Sequence, residues 1–489
     1  MSNKKMATPS ETVTLRIRDL NNLGCGVGRT DEGMVVFVKG AVTGDVVEAQ
    51  IIKRTSSYLV GRLTRVVEAS PYRTEEGFCS APEACGGCVY RHVTYKHELD
   101  CKQSRVLQAF RKVGLAHVKV LPVKHTDPDT DGYRYRNKGM FPVRDGKGGM
   151  EAGFFAAKSH KLIPCYECTL QPAVFSDIVR FICDFCTKAA IPAYREEDGQ
   201  GGLGGQGGLG GQGGLGGQGV LRHIYLRANK AGQIMVCPVV NTAKPPKALT
   251  EDLPRALVAR FPAVVSVLYN VNTKDTNVVL GDRFVCLYGE PYIEDTLCGK
   301  RFRLSPDSFY QVNHDAAELL YRLAMEAACF DGTQHLLDLY CGAGTIGLSM
   351  SDQVSRLTGI EIVPEAVECA KQNATLNGIT PDRARFFCAD ASDAESLLSA
   401  AEAEDAPPVD VAVIDPPRKG TTPELIEALC RHNIPRIVYV SCEPETLARD
   451  CALFEKQGYV IGTVQPVDLF PRTGHVESVV CLTRKTNEE

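Results

Sequence analysis

A single cysteine stands at the end of an apolar run in the segment IVYVSCEPETLARD, residues 437–450. The run predicts a buried strand, and Pro444 suits the first turn of a following helix, where its missing N–H costs nothing. Cys442 would then lie at a helix N-terminus, whose partial positive charge lowers the pKa of a thiol and favours a nucleophilic thiolate. The alternative is a small core side chain, which is the role of most single cysteines.

Two carboxylates accompany this cysteine in the C-terminal third. Asp415 ends the apolar run of VIDPPRKG, and ligands of open α/β sheets bind at the carboxyl ends of strands. The alternative is a turn with a capping aspartate. The Asp-Pro-Pro sequence favours a methyltransferase acting on a nucleobase, and Arg418, where an aromatic residue is usual, argues against adenine N6 chemistry. Glu477, in FPRTGHVESVVCL, would be solvated on its own, but beside Cys442 it offers a general base.

A glycine-rich turn precedes these motifs, in LLDLYCGAGTIG at residues 336–347. Glycines between a strand and a helix let the backbone approach a ligand. Glu361 ends the next strand, where the hydroxyls of a ribose would lie. The pattern suits NAD and S-adenosylmethionine (SAM) equally.

A group of cysteines lies nearer the N-terminus. Cys79, Cys85 and Cys88 are spaced C-x5-C-x2-C, and either Cys165 or Cys168 offers a fourth thiol. Clustered thiolates indicate zinc or an iron–sulfur cluster, and the spacing does not decide between them.

The segment GYRYRNKGMFPV, residues 132–143, alternates tyrosines with cations. Tyrosine rings stack on bases and cations bind phosphates, so RNA contact is one interpretation and a solvated strand face is the other. Residues 91–140 hold eleven Lys/Arg against five Asp/Glu, whereas the whole chain has a net charge of −4. A polyanion would therefore meet this half first.

The length of 489 residues predicts two to four domains. Residues 12–69 contain short strands broken by glycine turns, which indicates a small β-barrel of the OB type. From about residue 301 strands alternate with helices, as in a doubly wound α/β sheet. Between them, GGLGGQ occurs three times in tandem from Gly201 to Gln218, which predicts a flexible, dispensable loop.

The N-terminal residues have no apolar stretch of the secretory type, and no apolar run approaches the length of a membrane span. Twenty cysteines in such a chain are expected to be reduced thiols, metal ligands or a nucleophile. We therefore expect a cytoplasmic protein that does not enter a membrane, and we expect it to act as a monomer.

Taken together, the motifs resemble the RNA uracil-5-methyltransferase family in its 23S ribosomal RNA branch. The resemblance spans nearly the whole chain, and the Gly-rich insertion is the one departure. It implies an OB-like TRAM barrel at 1–72, a central α+β domain at 73–300 and a Rossmann-like SAM methyltransferase domain at 301–489. The central domain would hold an iron–sulfur site and a disordered insertion at 199–219. The motifs concerned are GCGVGRTDEGMVVFVKGAVTGD, the cysteine group, YRNKG, SPDSFYQVN, DLYCGAGTIGL, DPPRKG, YVSCEPETLARD and FPRTGHVE.

The same resemblance implies roles for individual residues. Cys442 would be the nucleophile and Glu477 the base. Five positions match SAM contacts, namely Gln311, Tyr340, Glu361, Asp390 and Asp415. Four match ligands of a [4Fe-4S] cluster, namely Cys79, Cys85, Cys88 and Cys168, with Cys165 as the alternative fourth ligand.

The implied reaction is methylation of carbon 5 of a uridine in 23S ribosomal RNA through a covalent cysteine–uracil intermediate. Family members that act on tRNA typically lack the barrel and the cluster, so the presence of both here favours ribosomal RNA, and tRNA is the alternative substrate. Two other classes are an iron–sulfur RNA-binding protein without catalysis and an NAD-dependent oxidoreductase. The Cys442/Glu477 pair argues against both, and Asp-Pro-Pro also argues against the second.

Overall fold

A computed structural model describes residues 11–74, 79, 81, 85–126, 133–157, 159–195, 218–274, 278–390 and 408–485. The chain begins with a six-stranded sheet in the order β1-β5-β6-β4-β3-β2, antiparallel except where β4 meets β6. Val47 and Ala49 point into its core while their neighbours are part-exposed, as expected for a half-buried strand. The strands are β1 (Thr12–Arg16), β2 (Asp19–Leu20), β3 (Cys25–Arg29), β4 (Val35–Lys39), β5 (Val46–Arg54) and β6 (Tyr58–Glu68).

A long helix, α1 (Tyr95–Lys112), follows the first sheet and leads to a second sheet. This sheet has seven strands in the order β13-β12-β11-β10-β7-β8-β9, with β11 and β12 parallel. The helices α2 (Ala173–Lys188) and α3 (Leu253–Arg260) pack on it through a shared apolar core. The strands are β7 (Lys138–Gly146), β8 (Gly149–Phe155), β9 (Leu162–Pro164), β10 (Leu221–Ala228), β11 (Ile234–Val240), β12 (Val264–Val271) and β13 (Arg283–Tyr288). A hairpin of β14 (Ile293–Leu297) and β15 (Lys300–Leu304) comes next.

The C-terminal sheet is the doubly wound sheet that the sequence predicted. Its order is β18-β17-β16-β19-β20-β23-β21; the first five strands are parallel and β23 runs antiparallel. Every residue of β16 is buried, as expected for a parallel strand covered on both faces. The strands are β16 (His335–Leu339), β17 (Arg356–Glu361), β18 (Ala384–Cys388), β19 (Val411–Ile414), β20 (Arg436–Ser441), β21 (Tyr459–Ile461), β22 (Gln465–Val467) and β23 (Glu477–Arg484).

The helices of this domain begin at residues suited to helix starts. Prolines occupy the first turns of three of them, and Asn313 caps another by accepting a hydrogen bond from Ala316 N at 3.3 Å. The helices are α4 (His314–Ala328), α5 (Thr345–Met350), α6 (Pro364–Leu376), α7 (Pro423–Arg431) and α8 (Pro444–Lys456).

Helix α1 packs against helix α8 of the C-terminal domain, although it lies within the predicted central segment. Val106 and Phe110 are fully buried in one apolar cluster with Leu447 and Phe454 of α8. The chain after α1 continues along the C-terminal sheet, where Leu121 N donates to Val464 O at 3.0 Å. The predicted domain boundaries at residues 72 and 300 stay a prediction. Helix α1 links the predicted central segment to the C-terminal domain through its packing.

Except for Gln218, the three GGLGGQ copies lie outside the described residues, as does most of the predicted insertion at 199–219. The chain on either side of them meets in space, because Arg195 N donates to Gln218 O at 2.7 Å. Among the helices that the structure describes, none combines the length and the apolar character needed to cross a bilayer.

Candidate active site

The five parallel strands of the C-terminal sheet each carry one predicted site residue at or just beyond the carboxyl end. Across the sheet these are Asp390 after β18, Glu361 ending β17, Tyr340 after β16, Asp415 after β19 and Cys442 after β20. The carboxyl edge is where open α/β sheets bind ligands. Residues that are up to 102 positions apart in the chain thus line one edge of one sheet.

Cys442 and Glu477 are brought face to face by strand pairing. Ser441 of β20 pairs with Ser478 of antiparallel β23, so the next residue on each strand lies opposite the other. Cys442 is half-buried, and Glu477 is only 4% exposed. The predicted location of Cys442, after a buried strand and before a helix that begins at Pro444, is confirmed. The roles of the two residues stay a prediction.

The surroundings of this pair are acidic and poorly solvated. Burial raises the pKa of the Cys442 thiol to about 11, with Glu477 and Asp415 adding to the rise and Arg418 opposing it. The predicted lowering of this pKa is therefore wrong in its net direction, because burial and two neighbouring carboxyl groups raise it. Burial likewise raises the pKa of Glu477 to about 8 and that of Asp415 to about 7. A cation bound among these groups would favour their ionised forms.

The glycine-rich turn after β16 holds the carboxylate that ends β17. Gly342 N donates to Glu361 Oε2 at 3.1 Å, and Val363 N donates to Glu361 Oε1 at 3.0 Å. Tyr340 and Gly342 have φ angles of 63° and 54°, which turn the backbone towards Glu361. Both carboxylate oxygens are thus fixed by backbone groups at the place predicted for a ribose contact.

The remaining predicted SAM positions differ in exposure. Gln311 is 8% exposed, and its carbonyl accepts a hydrogen bond from Asn137 Nδ2 at 3.0 Å. Asp390 is exposed, yet burial raises the pKa of Tyr340 and the charge of Asp390 adds to that rise. Asp390 therefore lies within electrostatic reach of the turn after β16.

Sequence reasoning missed Asp338, the buried acid of β16. Gly347 N donates to Asp338 Oδ2 at 2.8 Å. A Cβ on residue 347 would lie 2.7 Å from that oxygen, so the third glycine of the turn is required by this contact. Burial raises the pKa of Asp338 to about 7. An aspartate inside the apolar run LLDLY was the signal that could have revealed it.

A buried ionic network, also missed, supports the loop that leads to Glu477. Lys102 Nζ on α1 donates to Glu98 Oε1 at 2.7 Å and to Asp468 Oδ1 at 2.8 Å. Glu98 Oε1 in turn accepts a hydrogen bond from Arg472 N at 2.7 Å. The side chains of all four residues are at most 1% exposed. A Glu–Lys pair four residues apart on α1 was its only trace in the sequence.

The tyrosines and cations of the YRNKG segment make intramolecular contacts with this loop and its surroundings. Tyr135 OH donates to Pro471 O at 3.0 Å, and the Arg472 guanidinium lies 4.8 Å from the centre of the Tyr133 ring. Arg134 Nη1 donates to Gln171 O at 2.9 Å. Part of this segment therefore positions the loop before Glu477, and its contact with RNA stays a prediction.

The cysteines predicted as ligands come near one another. Burial raises the pKa of Cys88 to about 12, and three thiolate charges add to the rise, those of Cys168, Cys85 and Cys79. A hydrogen bond with Cys165 lowers the pKa of Cys79 to about 6, so the alternative fourth ligand lies in the same group. In the part of the chain that the structure describes, no three or more His, Cys, Asp or Glu side chains are arranged to hold a metal ion. The cluster stays a prediction.

Comparisons with known proteins agree with this architecture. Residues 286–485 match the model of the tRNA (uracil-5-)-methyltransferase family, and residues 7–64 match the TRAM domain, which confirms the N-terminal assignment. An uncharacterised RNA methyltransferase of Clostridium acetobutylicum is 36% identical over 469 residues, covering 96% of each chain. One of Halalkalibacterium halodurans is 36% identical over 479 residues, covering 97% of this chain and 98% of its own.

A solved structure is similar over nearly the entire chain. It is the tRNA (uracil-54, C5)-methyltransferase of Pyrococcus abyssi in complex with S-adenosyl-L-homocysteine, with 25% identity and a TM-score of 0.72. The similarity covers 96% of this chain and 99% of that one. With a TRAM domain at one end, a SAM methyltransferase domain at the other and relatives alike from end to end, the chain belongs to the RNA uracil-5-methyltransferase family.

Proposed function

We propose that the protein transfers a methyl group from SAM to carbon 5 of a uridine in 23S ribosomal RNA through a covalent bond to Cys442. The observation that carries the proposal is the line of side chains along the sheet edge. Cys442 and Glu477 face each other at one end of it, and the residues proposed to bind SAM continue from Asp415 to Asp390. Gln311 would complete the SAM site.

SAM supplies a methyl group made electrophilic by its sulfonium. Carbon 5 of uracil is a poor nucleophile, so Cys442 Sγ first adds to carbon 6 and leaves an enolate with electron density at carbon 5. Carbon 5 then accepts the methyl group. Glu477 removes the remaining proton from carbon 5, and elimination breaks the Cys442 bond. The uracil must leave its stack to reach this buried pair.

The charges at the site suit this order of events. Cys442, Glu477 and Asp415 all have raised pKa values because they are buried together. A sulfonium beside them favours the Cys442 thiolate. After methyl transfer the sulfonium has become a neutral thioether, so Glu477 then takes up a proton in the environment that raises its pKa.

The second candidate substrate is a uridine of tRNA. The tRNA enzyme of Pyrococcus abyssi is similar over 96% of this chain, so the similarity extends well into the N-terminal region. The N-terminal domain therefore does not distinguish a ribosomal RNA enzyme from a tRNA enzyme, although the family resemblance implied that it would. The proposal for ribosomal RNA rests on the resemblance of the motifs to the ribosomal branch, in which the cysteine group is one motif.

We further propose that Cys79, Cys85, Cys88 and Cys168 hold a [4Fe-4S] cluster. The support is chemical: thiolates are the ligands of such clusters, and these four are electrostatic neighbours. Anaerobically purified protein should contain about four irons per chain, and stoichiometric zinc without iron would contradict the proposal. Separate serine substitutions at Cys165 and Cys168 should lower the iron content only for the true ligand.

The substrate is tested by mapping 5-methyluridine in ribosomal RNA and tRNA from cells with and without the gene. The proposal expects one or more 23S positions to lose the methyl group in the deletion strain and to regain it with purified protein and SAM. Loss from tRNA alone would establish the second candidate. Unchanged 5-methyluridine in both RNAs would contradict the proposed function.

A further inference from the structure

Arg105, in the middle of α1, reaches both halves of the candidate active site. Its Nη2 donates to Glu445 Oε2 at 2.7 Å and also binds the carboxylate of Glu443. Its Nη1 donates to Gly474 O at 3.0 Å. The side chain is only 15% exposed, so these contacts form in a partly desolvated place.

The two ends of this bridge lie beside the two reacting side chains. Glu443 directly follows Cys442, and Gly474 precedes Glu477 by three residues. The β20–β23 pairing ends at Ser441 and Ser478, so Cys442 and Glu477 lie just beyond its last pair, although Glu477 also pairs with Val467 of β22. Arg105 closes this open end by binding the turn on one side and the loop on the other.

The loop side of the bridge has little freedom of its own. Gly474 packs against the N-terminal domain so closely that a Cβ on it would lie 1.8 Å from Asn22 O. Two residues earlier, Arg472 N is bound by Glu98 on α1. The loop is therefore held by the N-terminal domain at Gly474 and by α1 at Arg472. The contacts of Arg105 relate the turn at Cys442 to this fixed loop.

We propose that Arg105 is a positioning residue that sets the separation of Cys442 and Glu477 by binding Glu443, Glu445 and Gly474 at once. This inference rests on the proposed function and adds a residue outside the methyltransferase motifs to it. A guanidinium suits the role because its planar fork presents five donors in fixed directions, whereas an ammonium is a single point of charge. Arg105→Lys should therefore fail to replace it despite keeping the charge.

The experiment measures single-turnover methylation and adduct formation with saturating SAM. The probe is total RNA from cells lacking the gene, either unmodified or from cells grown with 5-fluorouracil. Arg105→Met and Arg105→Lys should both lower the rate constant at saturating RNA, on the order of 10²-fold for a displacement of about 1 Å. Affinity for SAM should stay unchanged, because Arg105 has no contact with the proposed SAM residues among its hydrogen bonds.

Two further variants separate positioning from general packing. Arg111→Met changes an exposed arginine on the same helix and should react like the wild type. Glu443→Gln keeps the volume of the side chain but removes one charge from the bridge, so it should slow the same step. The double variant Arg105→Met/Glu443→Gln should be no slower than Arg105→Met alone. The reason is that Arg105→Met already removes the Arg105–Glu443 contact that Glu443→Gln weakens.

The outcomes distinguish this inference from the proposed function. A wild-type protein that forms neither 5-methyluridine nor a fluorouracil adduct contradicts the proposed function. An active wild type with equally fast Arg105→Met protein overturns the bridge alone, as does full activity of Arg105→Lys. If Arg105→Met fails to bind SAM and is misfolded, Glu443→Gln decides, and its reaction at the wild-type rate overturns the inference.

Discussion

The candidate active site and the cysteine group are built in different ways. The active site lies on strand ends, where the pairing of Ser441 with Ser478 fixes which residues face each other. The cysteine group combines Cys79, Cys85 and Cys88, which lie outside the named helices and strands, with Cys165 and Cys168 after β9. A site on paired strands is determined by register, whereas a site on loops depends on contacts far apart in the chain and on the group it binds.

The largest effect is expected at the pair of residues that strand register places opposite each other. Glu477→Gln removes the proposed base and should slow turnover by roughly 10²–10⁴-fold. A methylated enzyme–RNA adduct should accumulate and survive denaturing electrophoresis, because only the step after methyl transfer is blocked. Glu424→Gln, on the exposed first turn of α7, is the matched control and should turn over normally. Rapid turnover by Glu477→Gln without an adduct would assign the proton transfer to another group.

The next effect concerns the buried ionic network that supports the loop leading to Glu477. Lys102→Met leaves the carboxylates of Glu98 and Asp468 buried without their shared cation, which should cost about 3–5 kcal/mol of unfolding free energy. Lys247→Met is the control, since Lys247 and Glu251 form an exposed pair with the same spacing. That change should cost less than about 1 kcal/mol. Equal denaturant midpoints for the two variants would show that the buried ionic network does not stabilise the fold.

The pH dependence of the last chemical step sharpens the electrostatic side of the comparison. Burial raises the pKa of Glu477 to about 8, so the group is protonated below that pH and cannot accept another proton. In single-turnover reactions of the wild type with unmodified RNA, release of methylated RNA from the covalent adduct should therefore accelerate as pH rises and level off above about pH 8, slowing by about tenfold per unit below it. A rate that is constant down to pH 5 would show that Glu477 is not the base.

The smallest effect is expected for the Gly-rich insertion. Deleting Gly201–Gln218 places Gln200 before Gly219, so the residue type that meets Arg195 is kept. Because Arg195 N and Gln218 O already lie 2.7 Å apart, the shortened connection needs little rearrangement. Methylation and thermal stability should remain near wild type. A large loss of activity in a folded deletion variant would give the repeat a role in the reaction.

The sequence predicted elements with strong periodicity and residues at their ends. The doubly wound sheet and the place of Cys442 after a buried strand followed from apolar runs and prolines. The pKa of Cys442 was predicted in the wrong direction, because its burial, and after that the approach of Glu477 and Asp415, arise only when the strands assemble into the sheet. Arg105 and Lys102 contact residues more than 300 positions away, and such contacts leave no periodic signal in the sequence. The support of the loop that leads to Glu477 could therefore not be predicted.

The covalent role of Cys442 is tested most directly by trapping with 5-fluorouracil RNA. Fluorine cannot leave carbon 5 as a proton, so the wild-type protein with SAM should form a methylated adduct stable to denaturing electrophoresis. Cys442→Ala should form none while still binding SAM, and Cys481→Ala, on β23 of the same sheet, should form as much as the wild type. An adduct formed by Cys442→Ala at the wild-type rate would show that this thiol is only part of the packing and would contradict the mechanism.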